Sequence, residues 1–295
     1  MNKNPLLTVI IVTYNNENEI IPCLTSLPWL TVPMEIIVVD SHSSDRTREK
    51  AEDFMSASSG LPLSTFWCAY NAGYAKCVNL GLRQSRGQYI MLLGADTVLQ
   101  PGSVQILIDF FKKRKEAGMV APQLIASNAE ILPSCRRFPT YGDIFMELTG
   151  LPRLFPNRIQ PAWKMSDFNH TVRKKVDQPE ASCVMITREA LEDVGFMDER
   201  FTIFFNDVDW CRRFNEKNWK IWFYPEAKVI HKKGVSIHSA RIPMIWKSHQ
   251  GIFRYFRKYH SAGSLNHLMN SLLLCCLIWT AALRTLFLFL FSRNS

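Results

Sequence analysis

At 295 residues, 47% of them hydrophobic and 21% charged, the chain is too apolar for intrinsic disorder and long enough for one large α/β domain or two smaller ones. Thirteen glycines and fifteen prolines exclude collagen-like and low-complexity classes. The formal charge of +9 admits nucleic acid or membrane as a partner until it is located along the chain.

Residues 8–12 form a continuous β-branched apolar run, as a strand buried in a parallel sheet requires. Ile20, Ile21, Leu24 and Leu27 follow at helical spacing. Residues 35–39 predict a second buried strand ending at Asp40, and 44–55 a polar helix capped by Ser44 or Asp45. A third strand is expected at 63–67, a helix through about Ser85, and a fourth strand at 89–93. Pro101-Gly102-Ser103 opens a helix with Val104, Leu107, Ile108 and Phe111 on one face, and 119–124 reads as a further strand. Periodicity weakens over 133–179, a stretch rich in Arg, Pro, Phe and Asn that predicts long loops or short helices. Regularity returns with a strand at 183–186, helices from Arg188 and over 207–217, and two strands at 219–224 and 227–230. This alternation predicts a mostly parallel central sheet with helices on both faces.

The charge is unevenly placed. Glu226 is the last acid, and ten bases follow it; the first 226 residues carry 25 bases against 26 acids. The same tail holds an apolar run at 272–291, interrupted by Thr280, Arg284 and Thr285 alone. Roughly twenty apolar residues span a bilayer as a helix. Arg284 opposes a simple span, at about 2.5–3.5 kcal/mol near the bilayer centre, although a long side chain can snorkel. Upstream, Arg254, Arg257, Lys258 and His260 alternate with Phe253, Tyr255, Phe256 and Tyr259, a mixture suited to an anionic headgroup layer. The reading is membrane contact, spanning or interfacial; a helix packed on the protein is the competing one. The excess charge therefore points to a membrane surface and not to nucleic acid.

No small-residue cleavage site follows the apolar run at 9–12, so no signal peptide is expected. Of the eight cysteines none forms a CxxC pair, which predicts neither a zinc site nor a disulfide framework and fits a reducing, cytosolic setting.

In open α/β sheets ligands bind beyond the carboxyl ends of the strands. Three such ends carry polar groups here: Thr13-Tyr14-Asn15, Asp40-Ser41, and Asp96. Each alone is an ordinary cap or turn; together they form a polar edge. GxGxxG and P-loop patterns are both missing after the first strand.

The segments VTYNN (12–16), VVDSHSSD (38–45), NAGYAKCVN (71–79), LLGADT (92–97), ALEDVGFMDERF (190–201), FFNDVDWCRR (204–213) and WKIWFYPEAKVIH (219–231) occur in one order over about residues 6–235. In these the chain resembles glycosyltransferase family 2, the inverting sugar-nucleotide transferases of the GT-A fold. The SCRRFPT segment (134–140) is similar to the bacterial rhamnosyltransferase-like branch. The resemblance implies a GT-A catalytic domain over 1–235. A basic, aromatic extension over 236–295 would carry a membrane-associating helix at about 268–291.

The resemblance also implies roles. Thr13, Tyr14, Asn15, Asp40, Ser41, Asn71 and Gly73 would hold the nucleotide sugar, with Tyr14 stacking on the base and Gly73 admitting close backbone approach. Asp96 falls on the last acid of the family's DxD-like motif, which holds Mg or Mn on the donor diphosphate. The chain departs from that pattern at Gly94, where the first acid belongs. His231 matches a late family histidine and is a second candidate metal ligand. Asp207 is the expected catalytic base, kept ionised by the helix start. The family's preceding Glu is Asn206 here, and Asp209 lies about 200° around the helix and faces elsewhere. Arg136, Arg137 and Trp163 are either donor or acceptor contacts or ordinary surface and core. Trp210, Trp219 and Trp222 read as core. Lys232 and Lys233 could face phosphate, lipid or solvent.

The expected activity is transfer of a sugar, L-rhamnose leading, from a dTDP- or UDP-linked donor to a glycan or polyprenyl-linked glycan. The expected setting is bacterial envelope polysaccharide synthesis at the cytoplasmic face of the inner membrane. A non-catalytic sugar-nucleotide-binding relative is the alternative, favoured by Gly94 and Asn206. A nucleotidyltransferase would need a Gly-rich basic loop after the first strand, and VTYNNENE has neither character.

Overall fold

The computed structural model describes residues 5–27, 32–58, 60–155, 158–232 and 241–291. In chain order the first half runs β1 (Leu7–Thr13), α1 (Ile20–Thr25), β2 (Met34–Asp40), α2 (Thr47–Ala57), β3 (Leu63–Trp67), α3 (Tyr74–Gln84), β4 (Tyr89–Gly94), β5 (Thr97–Leu99), α4 (Ser103–Lys113) and β6 (Ala117–Ile125). The irregular middle consists of β7 (Ile131–Leu132), β8 (Cys135–Arg136), α5 (Tyr141–Thr149), α6 (Leu151–Leu154), β9 (Lys174–Lys175) and β10 (Gln178–Pro179). Then come β11 (Cys183–Thr187), α7 (Arg188–Val194), α8 (Asn206–Glu216), β12 (Lys220–His231), α9 (Arg241–Tyr259) and α10 (Ser264–Phe291).

The main sheet has the order β3-β2-β1-β4-β11-β6-β12-β5. The pairs β1–β2, β1–β4, β2–β3 and β6–β12 are parallel; β11 and β5 are antiparallel insertions. Successive strand side chains point to opposite faces, and here both faces are covered. Val9, Ile11, Ile36 and Val38 join a core with α1, α2 and α4, while Ile10, Ile37 and Val39 join a second core with α3, α7 and α8. Each such Val or Ile, fully buried, contributes about 1.5–3 kcal/mol. This double burial is why the strands read as unbroken apolar runs.

Three details differ from the sequence expectation. Helix α2 begins at Thr47 after Arg46, with no side-chain cap bond, and not at Ser44 or Asp45. Residues 219–224 and 227–230 are one strand, not two. Both halves of β12 pair with β6, Tyr224 against Pro122 and Lys228 against Gln123, and residues 225–227 bulge between them. Pro225 lacks an N–H, so the break in the pattern marks the bulge. The short strand β5 is not legible as an element; it turns back antiparallel on β12, with His231 opposite Thr97.

The tail is a helical hairpin packed on the α/β body. Tyr255 and Phe256 of α9 and Leu273 and Leu277 of α10 pack with Ile144, Phe201 and Val208. Gly251 lets α9 approach the Phe204 carbonyl, where a Cβ would stand 3.0 Å away. Asp209 is fully buried and is held by Arg213 at 3.1 Å, Lys258 and the Tyr259 hydroxyl. The aromatic–basic stretch expected in a headgroup layer is thus partly a docking seam, because Tyr255, Phe256 and Lys258 turn inward. The other side of α10 is exposed: Leu272, Ile278, Trp279, Leu283, Leu286, Phe287 and Leu290 all face outward.

Candidate active site

The parallel strands end together, and their loops are laced by side chains. Thr13 lies opposite Asp40 in register. Asp40 accepts the Ser43 N–H at 2.8 Å and also the Ser43 hydroxyl. Asn15, in the left-handed region at φ 53°, accepts from Ser44 N–H at 2.8 Å and donates its own N–H to Ser43 Oγ at 2.8 Å. Asn16 Oδ1 accepts the Thr13 hydroxyl at 3.2 Å and the Tyr14 N–H at 3.0 Å. Ser41 Oγ donates to Asn71 Oδ1 at 3.2 Å and accepts the Gly73 N–H at 3.2 Å. The candidates Thr13, Tyr14, Asn15, Asp40, Ser41, Asn71 and Gly73 therefore form one network across three loops. Gly73 has φ +81°, and a Cβ there would stand 3.0 Å from the Thr202 carbonyl, which is a structural reason for glycine.

The metal candidates meet on the same edge. Asp96 Oδ2 lies 3.2 Å from Nε2 of His231, and the Lys232 N–H donates to the Asp96 carbonyl at 2.9 Å. The β5–β12 pairing sets this contact, since it brings residue 231 beside residue 97. A Cβ at Gly94 would meet Asp96 Oδ1 at 2.9 Å and the Ser182 carbonyl at 3.3 Å, so the glycine leaves room for the Asp96 carboxylate. Among the described residues no group of three or more His, Cys, Asp or Glu is arranged around a metal. Asp96 and His231 still offer an oxygen and a nitrogen side by side. Hard cations bound with substrate phosphates need only one or two protein groups, so the pair fits such an ion.

Asp207 stands in the first turn of α8, after Phe205 in a left-handed conformation at φ 65°. Such strain in a bulky residue persists where the surroundings fix it, often at functional sites. Asn206 Oδ1 accepts the Asp207 N–H at 2.7 Å. The N–H groups of the helix start favour the ionised carboxyl, as expected, but burial outweighs them. Asp207 is half-buried as a residue, and desolvation of its carboxyl raises the pKa to about 6. The Val208 N–H opposes this, and the Glu180 charge adds to it. Tyr74, whose hydroxyl donates to the Ala181 carbonyl at 3.2 Å, is pushed up by burial and by the charges of both Asp207 and Asp96. Tyr74 thus lies within electrostatic reach of both carboxylates.

The other candidates separate. Arg136 lies over the Trp163 ring at 5.3 Å, and its charge reaches Asp207. Arg137 pairs with Asp167 at 2.8 Å on the surface. Trp210 is buried, and Trp219 and Trp222 pack against the two sheet cores. Lys232 is exposed, and Lys233 lies outside the described residues. Glu180 and Tyr74 stand beside the candidate residues and are not singled out by the sequence. Glu180 sits at the end of the aperiodic middle, and its antiparallel neighbour β11 carries it to the edge where parallel strands end. The signal available for it is an acid shortly before an apolar strand.

A family model described as glycosyl transferase family 2 matches residues 8–195, more than half of the chain. The chain belongs to that family. This family 2 glycosyltransferase is 24% identical over 276 residues to the N-acetylglucosaminyl-diphospho-decaprenol L-rhamnosyltransferase of Mycobacterium tuberculosis, covering 87% of this chain and 85% of that one. It is 24% identical over 273 residues to the dTDP-rhamnosyl transferase RfbF of Shigella flexneri, covering 87% and 78%. Among solved structures it is similar to the mannosyltransferase PcManGT of Pyrobaculum calidifontis, in complex with GDP-Man and Mn2+. That likeness has a TM-score of 0.60 at 17% identity, over 96% of this chain and 76% of that one. The glycosyltransferase has a GT-A fold. The family match includes Asp40, Asp96 and Glu180 and ends before α8 and β12, which carry Asp207 and His231.

Proposed function

We propose that this glycosyltransferase inverts the anomeric centre while moving L-rhamnose, from dTDP-rhamnose ahead of UDP-linked donors, to a glycan or polyprenyl-linked glycan. The setting is bacterial cell-envelope polysaccharide synthesis. The observation that carries the reading is a carboxyl with a pKa near 6, Asp207, sharing Tyr74's surroundings with the Asp96–His231 pair. A general base poised near the operating pH, beside a site for a diphosphate, is what direct displacement at a sugar carbon needs.

The laced loops around Asp40, Ser41, Asn15 and Asn71 hold the base and ribose. Asp96 and His231 would hold Mg or Mn, which when bound neutralises charge on the departing nucleoside diphosphate. Asp207 accepts the proton of the acceptor hydroxyl as that oxygen attacks the sugar from the face opposite the leaving group. Arg136 lies near enough to stabilise the ionised Asp207. The rhamnosyl relatives support the donor, and the diphospho-decaprenol relative supports a lipid-linked acceptor.

Location at the cytoplasmic face of the inner membrane is supported by α10, whose span Ser264–Leu290 is long and apolar enough to cross a bilayer and is only 17% buried. Two of its polar positions meet α9: Thr280 lies 3.2 Å from His249 and Thr285 accepts from Trp246 at 3.2 Å. A cavity of about 350 Å³ lined by Arg200, Phe201, Arg254, Arg257 and Lys258 adds a basic surface between the body and α9.

The test is a donor panel with a polyprenyl-diphosphate N-acetylglucosamine acceptor, read as release of nucleoside diphosphate with Mn2+ or EDTA. Release from dTDP-rhamnose above UDP-sugars, abolished by EDTA, is expected. Equal release from all donors would remove the rhamnosyl assignment, and release unaffected by EDTA would remove the metal.

A further inference from the structure

The catalytic edge contains an acid to which sugar transfer assigns no step. Glu180 lies between β10 and β11, anchored by its N–H to the Ser134 carbonyl at 2.7 Å. Its Oε1 accepts the Ser182 hydroxyl at 2.7 Å and stands 3.6 Å from Nδ1 of His231. The opposite ring nitrogen, Nε2, is 3.2 Å from Asp96 Oδ2. His231 is 6% exposed, and its Nδ1 is a buried nitrogen with no formed hydrogen bond. The imidazole is thus flanked by one carboxylate at each nitrogen.

A metal-ligating histidine generally donates its second ring N–H to a carboxylate or carbonyl, which fixes the tautomer and the ring plane. We propose that Glu180 is the positioning residue of this metal site. It holds the His231 proton on Nδ1 and turns Nε2 toward Asp96, so that the two present nitrogen and oxygen to one divalent cation. The inference rests on the metal-dependent reading above. Two observations favour positioning over direct ligation. Glu180 approaches the ring nitrogen far from Asp96, and among the described residues no three-ligand cluster is formed. The role has weight here because Gly94 leaves the motif with a single aspartate, so the second protein ligand is a neutral ring whose basicity depends on its partner.

The experiment measures Mn2+ affinity of the full-length protein with saturating dTDP, by electron paramagnetic resonance of free Mn2+. Wild type, Glu180→Ala and Glu180→Gln are compared, with melting temperature and metal-free dTDP affinity as controls for folding. Glu180→Ala should weaken Mn2+ about 10–100-fold, the usual effect of losing an outer carboxylate. Glu180→Gln keeps a carbonyl acceptor and should recover most of that loss, with both controls unchanged. Wild-type Mn2+ affinity in Glu180→Ala would overturn the proposal. So would a loss in Glu180→Gln as large as in Glu180→Ala, which marks a direct ligand. If the wild type binds no more Mn2+ than dTDP alone does, the metal reading itself fails.

Discussion

At the scale of single residues, the chemistry turns on where carboxylates are withdrawn from water. Asp96 is near its partner ring, whereas Asp207 is desolvated and titrates near 6 in place of the ordinary 3.8. As the proposed base it works only when ionised, so kcat/KM should fall about tenfold per pH unit below pH 6. A pH–rate profile checks this, and a flat profile from pH 5 to 8 would contradict it. The same shift has a sign for stability. The folded state binds this proton more tightly than the unfolded chain, so stability is lost as pH rises from about 4 through 6. Asp207→Asn should therefore melt a few degrees above wild type at pH 8 and level with it at pH 4. Asp40 and Asp96 were legible because they sit at strand ends, and Asp207 because it opens a helix; the raised pKa of Asp207 was not, since burial is set by tertiary packing. Glu180 was illegible for a related reason, since only the antiparallel return of β11 brings it to the strand-end edge.

At the scale of elements, double-sided burial made β1, β2 and β4 readable as continuous apolar runs. β5 was too short to carry a pattern, and Pro225 disguised a bulge as a boundary. Helix α9 is the element whose role changes most. Its aromatic residues resemble a lipid-facing belt in composition, yet Tyr255 and Phe256 are fully buried against α5 and α8. Lys258 and Tyr259 satisfy Asp209, two residues from Asp207 on the same helix. The hairpin is therefore part of what fixes α8. Phe256→Ala should cost about 3–5 kcal/mol by the usual cavity and transfer penalty. Urea unfolding measures it, and a loss below 1 kcal/mol would show that α9 is not packed as described.

At the scale of the whole molecule, the excess positive charge of the tail divides into two uses. Part of the basic tail is spent on ion pairs with Asp198 and Asp209, and part lines the cavity beside Phe201. The apolar share of the tail divides likewise: Leu273, Leu277 and Ala281 are buried, and Leu272, Ile278, Trp279 and Leu286 are exposed. Deleting the tail would therefore remove core along with any membrane contact. A sharper test replaces Ile278, Trp279, Leu286 and Phe287 by serine and leaves the buried face intact. Sedimentation with anionic vesicles should fall at least tenfold while the melting temperature changes little; unaltered sedimentation would refute lipid contact through this face. The central claim is that the strand-end edge catalyses sugar transfer with Asp207 as base. Turnover and donor affinity of Asp207→Asn, measured on one preparation beside wild type, test it most directly. Turnover should drop about 10²–10⁴-fold with donor affinity within about twofold, whereas unchanged turnover would contradict the account.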